Sequence, residues 1–175
     1  DYLAEQTGML GLYGTEFIEI QTPYRWEKLA GGGVHGNAIL THIQPSSYYR
    51  LELPTTFDWN EPTPSQAPLT KVEKRIGARF ALCAEFQVAD RKLLVSSVHF
   101  EDKYIGADGR LTQFHSLVEQ VKTQTTEADI TVIAGDLNTL ETWLTRLTGY
   151  SKAGRSTQKP WQIAECKFWK GHVLP

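Results

Sequence analysis

Arg79-Phe-Ala-Leu-Cys-Ala-Glu-Phe-Gln-Val88 and Leu93-Leu-Val-Ser-Ser-Val-His-Phe100, separated by Ala89-Asp-Arg-Lys92, form the stretch from which the fold is read. Alternate residues of an extended chain share a face. Phe80, Leu82, Ala84, Phe86 and Val88 therefore line one side of the first segment. Leu94, Ser96, Val98 and Phe100 line one side of the second, and Leu93, Val95, Ser97 and His99 the other. The short polar connection is a hairpin signal. Apolar residues on both faces predict a sheet covered on both sides.

Downstream, Leu111, Phe114, Leu117, Val118 and Val121 recur at helical spacing and predict an amphipathic helix over Leu111 to Thr123. Ile130 to Ala134 is a short apolar strand, and Leu140 to Leu147 and Trp161 to Trp169 read as further helices. Upstream, Asp1 to Gln6 reads as the end of a helix stopped by Gly8. Thr15 to Ile20 reads as a strand, Gly31 to Gly33 as a turn, and Asn37 to Ile43 and Tyr48 to Leu53 as two strands expected to pair across Gln44 to Ser47. The four prolines between Pro54 and Pro68 mark a loop, because strands resume on both sides. Helix end, several strands, then helix–strand–helix is the pattern of a mixed α/β or α+β layered domain.

Composition narrows the function classes. The 175 residues suit a single domain. With 41% apolar and 22% charged residues, the chain is neither disordered nor collagen-like. No stretch approaches the roughly 20 apolar residues of a membrane helix, and no signal-peptide pattern opens the chain. A net charge of -2 argues against a generally basic nucleic-acid-coating protein, so a phosphate-bearing partner needs a local site. Cys83 and Cys166 are too few for a disulfide framework or a thiolate zinc site, which slightly favours an intracellular address. The Asp1 start is expected of a processed product or a fragment.

Gly135-Asp136-Leu137-Asn138, directly after the apolar strand, is the best candidate for chemistry. Residues two apart in an extended segment project to the same side, so Asp136 and Asn138 stand together at the carboxyl end of a strand, where layered α/β folds place ligands. A carboxylate there can ligate Mg²⁺ or orient a water, and a carboxamide can donate to a phosphoryl oxygen. The same residues also suit a purely structural role, with Asn138 capping a helix against Glu141 and Asp136 bracing a turn. His99, closing its strand, can hydrogen-bond or protonate a phosphoryl oxygen, or it can be a satisfied core histidine. His35, His42, His115 and His172 show no ligand spacing. No P-loop, nucleophile elbow or His-Glu-x-x-His motif occurs.

Four motifs in order resemble the endonuclease/exonuclease/phosphatase superfamily, the DNase I-like fold. Gly36-Asn37-Ala38-Ile39-Leu40-Thr41 is similar to that family's Gly-Asn-Ala-Ile-Leu-Ser strand, and Ser97-Val98-His99-Phe100 to its Asn-Thr-His-Leu. Arg110-Leu-Thr-Gln113 is similar to its Arg-x-x-Gln helix start, and Gly135-Asp136-Leu137-Asn138 to its Gly-Asp-Leu/Phe-Asn. The resemblance implies an α/β/β/α sandwich of four layers, two mixed sheets face to face with helices outside. It implies a hydrolase that splits a phosphate ester with a water activated by Mg²⁺ or Mn²⁺. Nuclease, phosphatase, phosphodiesterase and sphingomyelinase activities all fall within it, with nucleic acid, phospholipid or inositol phosphate as substrate. Carried over residue by residue, Asp136 orients or deprotonates the water and binds the metal. Asn138 contacts the phosphate and helps hold the metal, and His99 stabilises the transition state.

The family's metal-binding Gln-Glu motif and closing Ser-Asp-His are not found in the chain. Residues 1–175 are accordingly expected to be one such domain truncated at both ends, with little activity as they stand. The alternative expectation is a catalytically inactive fragment or scaffold of the same fold that acts, if at all, as a binding module.

Overall fold

The computed structural model of the chain describes residues 2–21, 33–61, 74–101, 107–124 and 128–138. Helix α1 (Tyr2–Thr7) ends at Gly8, whose φ of +64° is the left-handed conformation that glycine adopts without a Cβ penalty. Met9 N–H donates back to the Ala4 carbonyl at 3.2 Å, as in a helix C-cap. There follow β1 (Leu10–Gln21), β2 (Val34–Thr41), β3 (Ser47–Glu52), β4 (Lys74–Gly77), β5 (Phe80–Val88), β6 (Arg91–His99), α2 (Ala107–Gln124) and β7 (Ile130–Asp136).

Two sheets result. The first is antiparallel, in the order β2-β1-β4, and the second is mixed, in the order β3-β5-β6-β7. The β5–β6 hairpin forms as read, with Ala89 at a φ of +54° in its turn. The expected pairing of Asn37–Ile43 with Tyr48–Leu53 does not occur. β2 pairs with β1, and β3 pairs with β5, so the two neighbours in sequence lie in different sheets. The short connection between them crosses from one layer to the other. The Thr41 hydroxyl accepts from Ile43 N–H at 2.9 Å on one side, and Ser46 N–H donates to the Glu85 carbonyl at 2.8 Å on the other. Each strand thereby reaches an open edge that completes a sheet, whereas the expected hairpin would have left β1 and β5 without those partners.

The sheets pack face to face. Ile39 of the first sheet meets Phe80, Leu82, Ala84 and Phe86 of β5, with Leu12, Leu93 and Val95 packed against them. Phe80 reaches so close to β1 that a Cβ on Gly14 would lie 2.6 Å from its ring. On the other side of the second sheet, α2 seals a second core: Leu117 and Val121 pack with Leu51, Ala81, Cys83, Leu94, Val98 and Phe100. The sheet is thus covered on both faces, as its sequence demands. His115, beside the apolar stripe of α2, is exposed. The helices expected at Leu140–Leu147 and Trp161–Trp169 lie outside the described residues.

β1 departs from simple alternation. A register shift between Thr15 and Phe17 turns Glu16 and Glu19 inward, where both are buried, while Ile18 and Ile20 face solvent. A β-bulge of this kind re-aims side chains. It turns Glu16 toward Arg79 and Phe80 at the start of β5, while Glu19 meets His35 of the adjacent strand.

Candidate active site

The parallel pair β6–β7 builds the site. His99 stands opposite Asp136 in the register, at the carboxyl ends of both strands. The site-facing His99 Nε2 lies 3.9 Å from Asp136 Oδ2. Gly135 makes this approach possible, because a Cβ there would lie 2.0 Å from the Val98 carbonyl oxygen and its φ is +135°. Beyond the strand, Phe100 N–H donates to the Asp136 carbonyl at 2.9 Å, and Asn138 Nδ2 donates to the Phe100 carbonyl at 2.6 Å. Asn138 N–H donates to Asp136 Oδ1 at 2.8 Å, closing an Asx turn in which Asn138 takes a φ of +53°. The carboxamide of Asn138 therefore spends one N–H on holding the two strand ends together. The helix N-cap read for Asn138 needs Glu141, which lies outside the described residues.

Helix α2 fixes this corner from behind. Arg110, buried to 1% exposure, donates from Nη1 to the Asn138 carbonyl at 2.8 Å. Three residues on, and so on the same helix face, Gln113 accepts from Glu101 N–H at 2.8 Å and donates to the Pro54 carbonyl at 3.1 Å. The Arg-x-x-Gln spacing thus has a physical reason: one turn of helix ties the end of β7, the end of β6 and the start of the proline-rich loop.

A buried ionic network closes the other side. Glu16, whose side chain is fully covered, accepts from Asn37 Nδ2 at 3.1 Å, Arg79 Nη1 at 3.1 Å and Phe80 N–H at 3.3 Å. Asn37 also donates to the Phe80 carbonyl at 2.8 Å, which explains an asparagine in a strand between two sheets. Arg79 Nη1 approaches His99 Nδ1 at 2.7 Å, while Nη2 reaches Glu101 at 3.4 Å. Glu101 also pairs with Arg75 at 3.0 Å. Arg75 is stacked between Phe17 and Trp59, with its guanidinium carbon 4.5 Å and 3.9 Å from the ring centroids. Through Phe57 and Trp59 the described part of the proline-rich loop becomes a wall beside Arg79.

Electrostatics follow from this packing. Burial, reinforced by the Arg79 charge, lowers the His99 pKa to about 4 against the opposing pull of Asp136 and Glu101. His99 is therefore a neutral imidazole at pH 7. Burial raises the pKa of Glu16 even though Arg79 and three hydrogen bonds favour its ionised form.

The structure brings His99, Asp136 and Asn138 to one corner, and it adds Glu16 and Arg79, which sequence reasoning did not single out. A glutamate in an alternating strand reads as a solvent-facing position, and an arginine at the first position of a strand reads as surface charge. The one available signal is that Thr15-Glu-Phe-Ile-Glu-Ile20 does not alternate strictly, which is the mark of a bulge. His35 sits elsewhere, stacked on Phe17 and 3.2 Å from Glu19, and His42 is exposed near the end of β2.

Among the described residues no group of three or more His, Cys, Asp or Glu side chains converges on a point that could hold a metal ion. Glu16 and Glu101 are taken by arginines, which leaves the half-exposed Asp136 as the site's available carboxylate. A divalent cation of the Mg²⁺ kind needs about six oxygen ligands. The described residues alone do not build that shell.

No family model and no curated protein sequence matches the chain. Among solved structures, the human Nocturnin catalytic domain with bound sulfate anion matches with a TM-score of 0.52 and 14% sequence identity, over 79% of this chain and 46% of that one. A functionally unknown conserved protein from Enterococcus faecalis V583 matches with a TM-score of 0.45 and 18% identity, over 74% of this chain and 44% of the other. ANGEL2, a 2′,3′-cyclic phosphatase in complex with adenosine-2′,3′-vanadate, gives 0.44 and 18%, over 77% and 34%. The chain thus spans less than half the length of each of these proteins. Two sheets face to face, a helix outside, and the Nocturnin likeness together give one conclusion, which concerns the fold alone: the chain has a DNase I-like α/β fold.

Proposed function

We propose that this chain carries part of the reaction centre of a phosphoric-ester hydrolase, with His99, Asp136 and Asn138 at the phosphoryl group. One observation supports the reading above others: the imidazole of His99 and the carboxylate of Asp136 meet at the carboxyl ends of adjacent parallel strands, in a fold shared with a catalytic domain that binds sulfate. Sulfate and phosphate present the same tetrahedral oxyanion.

In this reading Asp136 orients the attacking water and takes its proton. Its carboxylate is 43% exposed and so accessible, while Asn138 N–H holds one oxygen and leaves the other free to act. His99, neutral at pH 7, hydrogen-bonds the phosphoryl oxygen as charge builds there. The remaining N–H of the Asn138 carboxamide is available to a second phosphoryl oxygen. Arg79 adds a fixed positive charge behind the imidazole. We extend the proposal to a Mg²⁺ or Mn²⁺ requirement, with Asp136 as its described ligand and Asn138 beside it. The described residues bring no group of three His, Cys, Asp or Glu ligands to that point.

The partner class is a phosphate ester, and nucleic acid, phospholipid and inositol phosphate are not separated by the fold. A second reading, an inactive scaffold of the same fold, draws on the absence of a three-ligand cation cluster among the described residues. The test is hydrolysis of bis(p-nitrophenyl) phosphate and p-nitrophenyl phosphate, with and without Mg²⁺, by the 175-residue chain and by the longest natural protein containing it. We expect Mg²⁺-dependent turnover from the longer protein and little from the chain alone. No hydrolysis of any phosphate ester by the longer protein would establish the scaffold instead.

A further inference from the structure

We propose that Arg79 is a positioning residue that holds the His99 ring in one tautomer, with Nδ1 bare and the proton on Nε2. The inference deepens the hydrolase reading and rests on it for its meaning, but its geometry stands alone. A guanidinium can only donate hydrogen bonds. Arg79 Nη1 lies 2.7 Å from His99 Nδ1, so that nitrogen accepts and its lone pair is used. A proton on Nδ1 would face the Nη1 protons at the same distance. Its alternative acceptor, Glu16 Oε2, is 3.6 Å away, outside hydrogen-bond range.

The arginine has no freedom to yield. It is 5% exposed, its Nη1 also donates to Glu16 at 3.1 Å, its Nη2 reaches Glu101, and its guanidinium carbon lies 4.8 Å from the centroid of the Phe17 ring. Glu16 and His99 are thus two acceptors sharing one Nη1, which has two protons to give. In the neutral imidazole one nitrogen donates and the other accepts. With Nδ1 occupied by Arg79, the nitrogen facing Asp136 carries the proton.

The consequence concerns which oxygen His99 meets. A bare Nε2 would suit a general base drawing a proton from water. A protonated Nε2 suits a donor to an oxygen gaining negative charge, on the phosphoryl group or the leaving group. His99 in this chain is therefore a donor, and the proton of the attacking water goes to Asp136. Arg79 sets this division of labour without touching substrate.

Long-range ¹H–¹⁵N correlation spectra of the ¹⁵N-labelled chain at pH 7 read the state of each ring nitrogen directly, with His99→Gln assigning the signal. The wild type is expected to show Nδ1 unprotonated and Nε2 protonated. In Arg79→Met, Glu16 becomes the neighbour of Nδ1, and a proton is expected to appear on that nitrogen. Arg79→Lys, again a pure donor, is expected to return the wild-type signature. A protonated Nδ1 in the wild type, or an unchanged signature in Arg79→Met, overturns the proposal. If Arg79→Met does not fold, the wild-type spectrum decides on its own. The readout needs no turnover, so the expected tautomer in this chain beside an inactive longer protein would refute the hydrolase reading and leave this one standing.

Discussion

Lowering the pH from 7.5 to 5 should cost this protein stability through His99 alone, and the amount can be worked from its surroundings. The imidazole pKa falls from 6.5 to about 4 in the folded chain. Between those values the unfolded chain binds a proton that the native state refuses, so stability rises with pH across the window and levels off above 6.5. At about 1.4 kcal/mol per pKa unit, the loss between pH 7.5 and pH 5 is roughly 2 kcal/mol. The side chain is 29% exposed, so screening trims this figure without removing it. The raised pKa of Glu16 acts with the opposite sign: the native state holds its proton more tightly, and that contribution grows as pH falls toward 4.5. Urea denaturation of the wild type and of His99→Gln at half-unit steps separates the two, because Glu16 is common to both. We expect the stability difference between the proteins to change by about 2 kcal/mol over the window. A difference that stays flat would mean that His99 titrates normally, and the buried, arginine-flanked imidazole would be refuted.

Two further predictions concern the frame around the site. Glu16→Ala removes the buried partner of Arg79 and one acceptor of Asn37, and should cost about 3–5 kcal/mol in urea denaturation; a loss below about 1 kcal/mol would show a solvated carboxylate. Gly135→Ala places a Cβ 2.0 Å from the Val98 carbonyl at a φ of +135°, so β7 must separate from β6 there. A cost of roughly 2–4 kcal/mol is expected, together with faster exchange of the Phe100 amide, which donates to Asp136 across the same seam. Unchanged exchange would contradict the close approach.

Much of this architecture is legible in the residues themselves. The β5–β6 hairpin and α2 follow from periods of two and of 3.6 residues, and both lie within two to four residues of where those periods place them. The apolar residues on both faces of the hairpin foretold a sheet covered on both sides; that one cover is a second sheet and the other a helix is seen only in the fold. Strand pairing was not legible beyond the hairpin. The 42–46 link carries no mark that distinguishes a turn within a sheet from a crossing between sheets, because hydrogen-bond partners for a strand are supplied by the whole fold.

The same limit applies to the site. Asp136, Asn138 and His99 are legible through their places at strand ends and the motifs that carry the resemblance, since the pattern alone suits structural roles as well. Glu16 and Arg79 meet each other across 63 residues of sequence. Their meeting depends on the bulge in β1 that turns a polar position inward, which a propensity argument reads as solvent-facing.

A double-mutant cycle on turnover tests most directly whether His99 and Asp136 act on a single phosphoryl centre. In the longest natural protein containing this segment, Asp136→Ala should lower Mg²⁺-dependent ester hydrolysis by about 10³–10⁴-fold to a residual measurable rate, with little change in Tm, since its side chain is 43% exposed. His99→Ala should lower turnover by about 10²–10⁴-fold. The double variant should be no slower than the slower single one, because groups that serve one transition state are not additive. Undiminished turnover in Asp136→Ala, or losses that multiply in full, would contradict a shared centre.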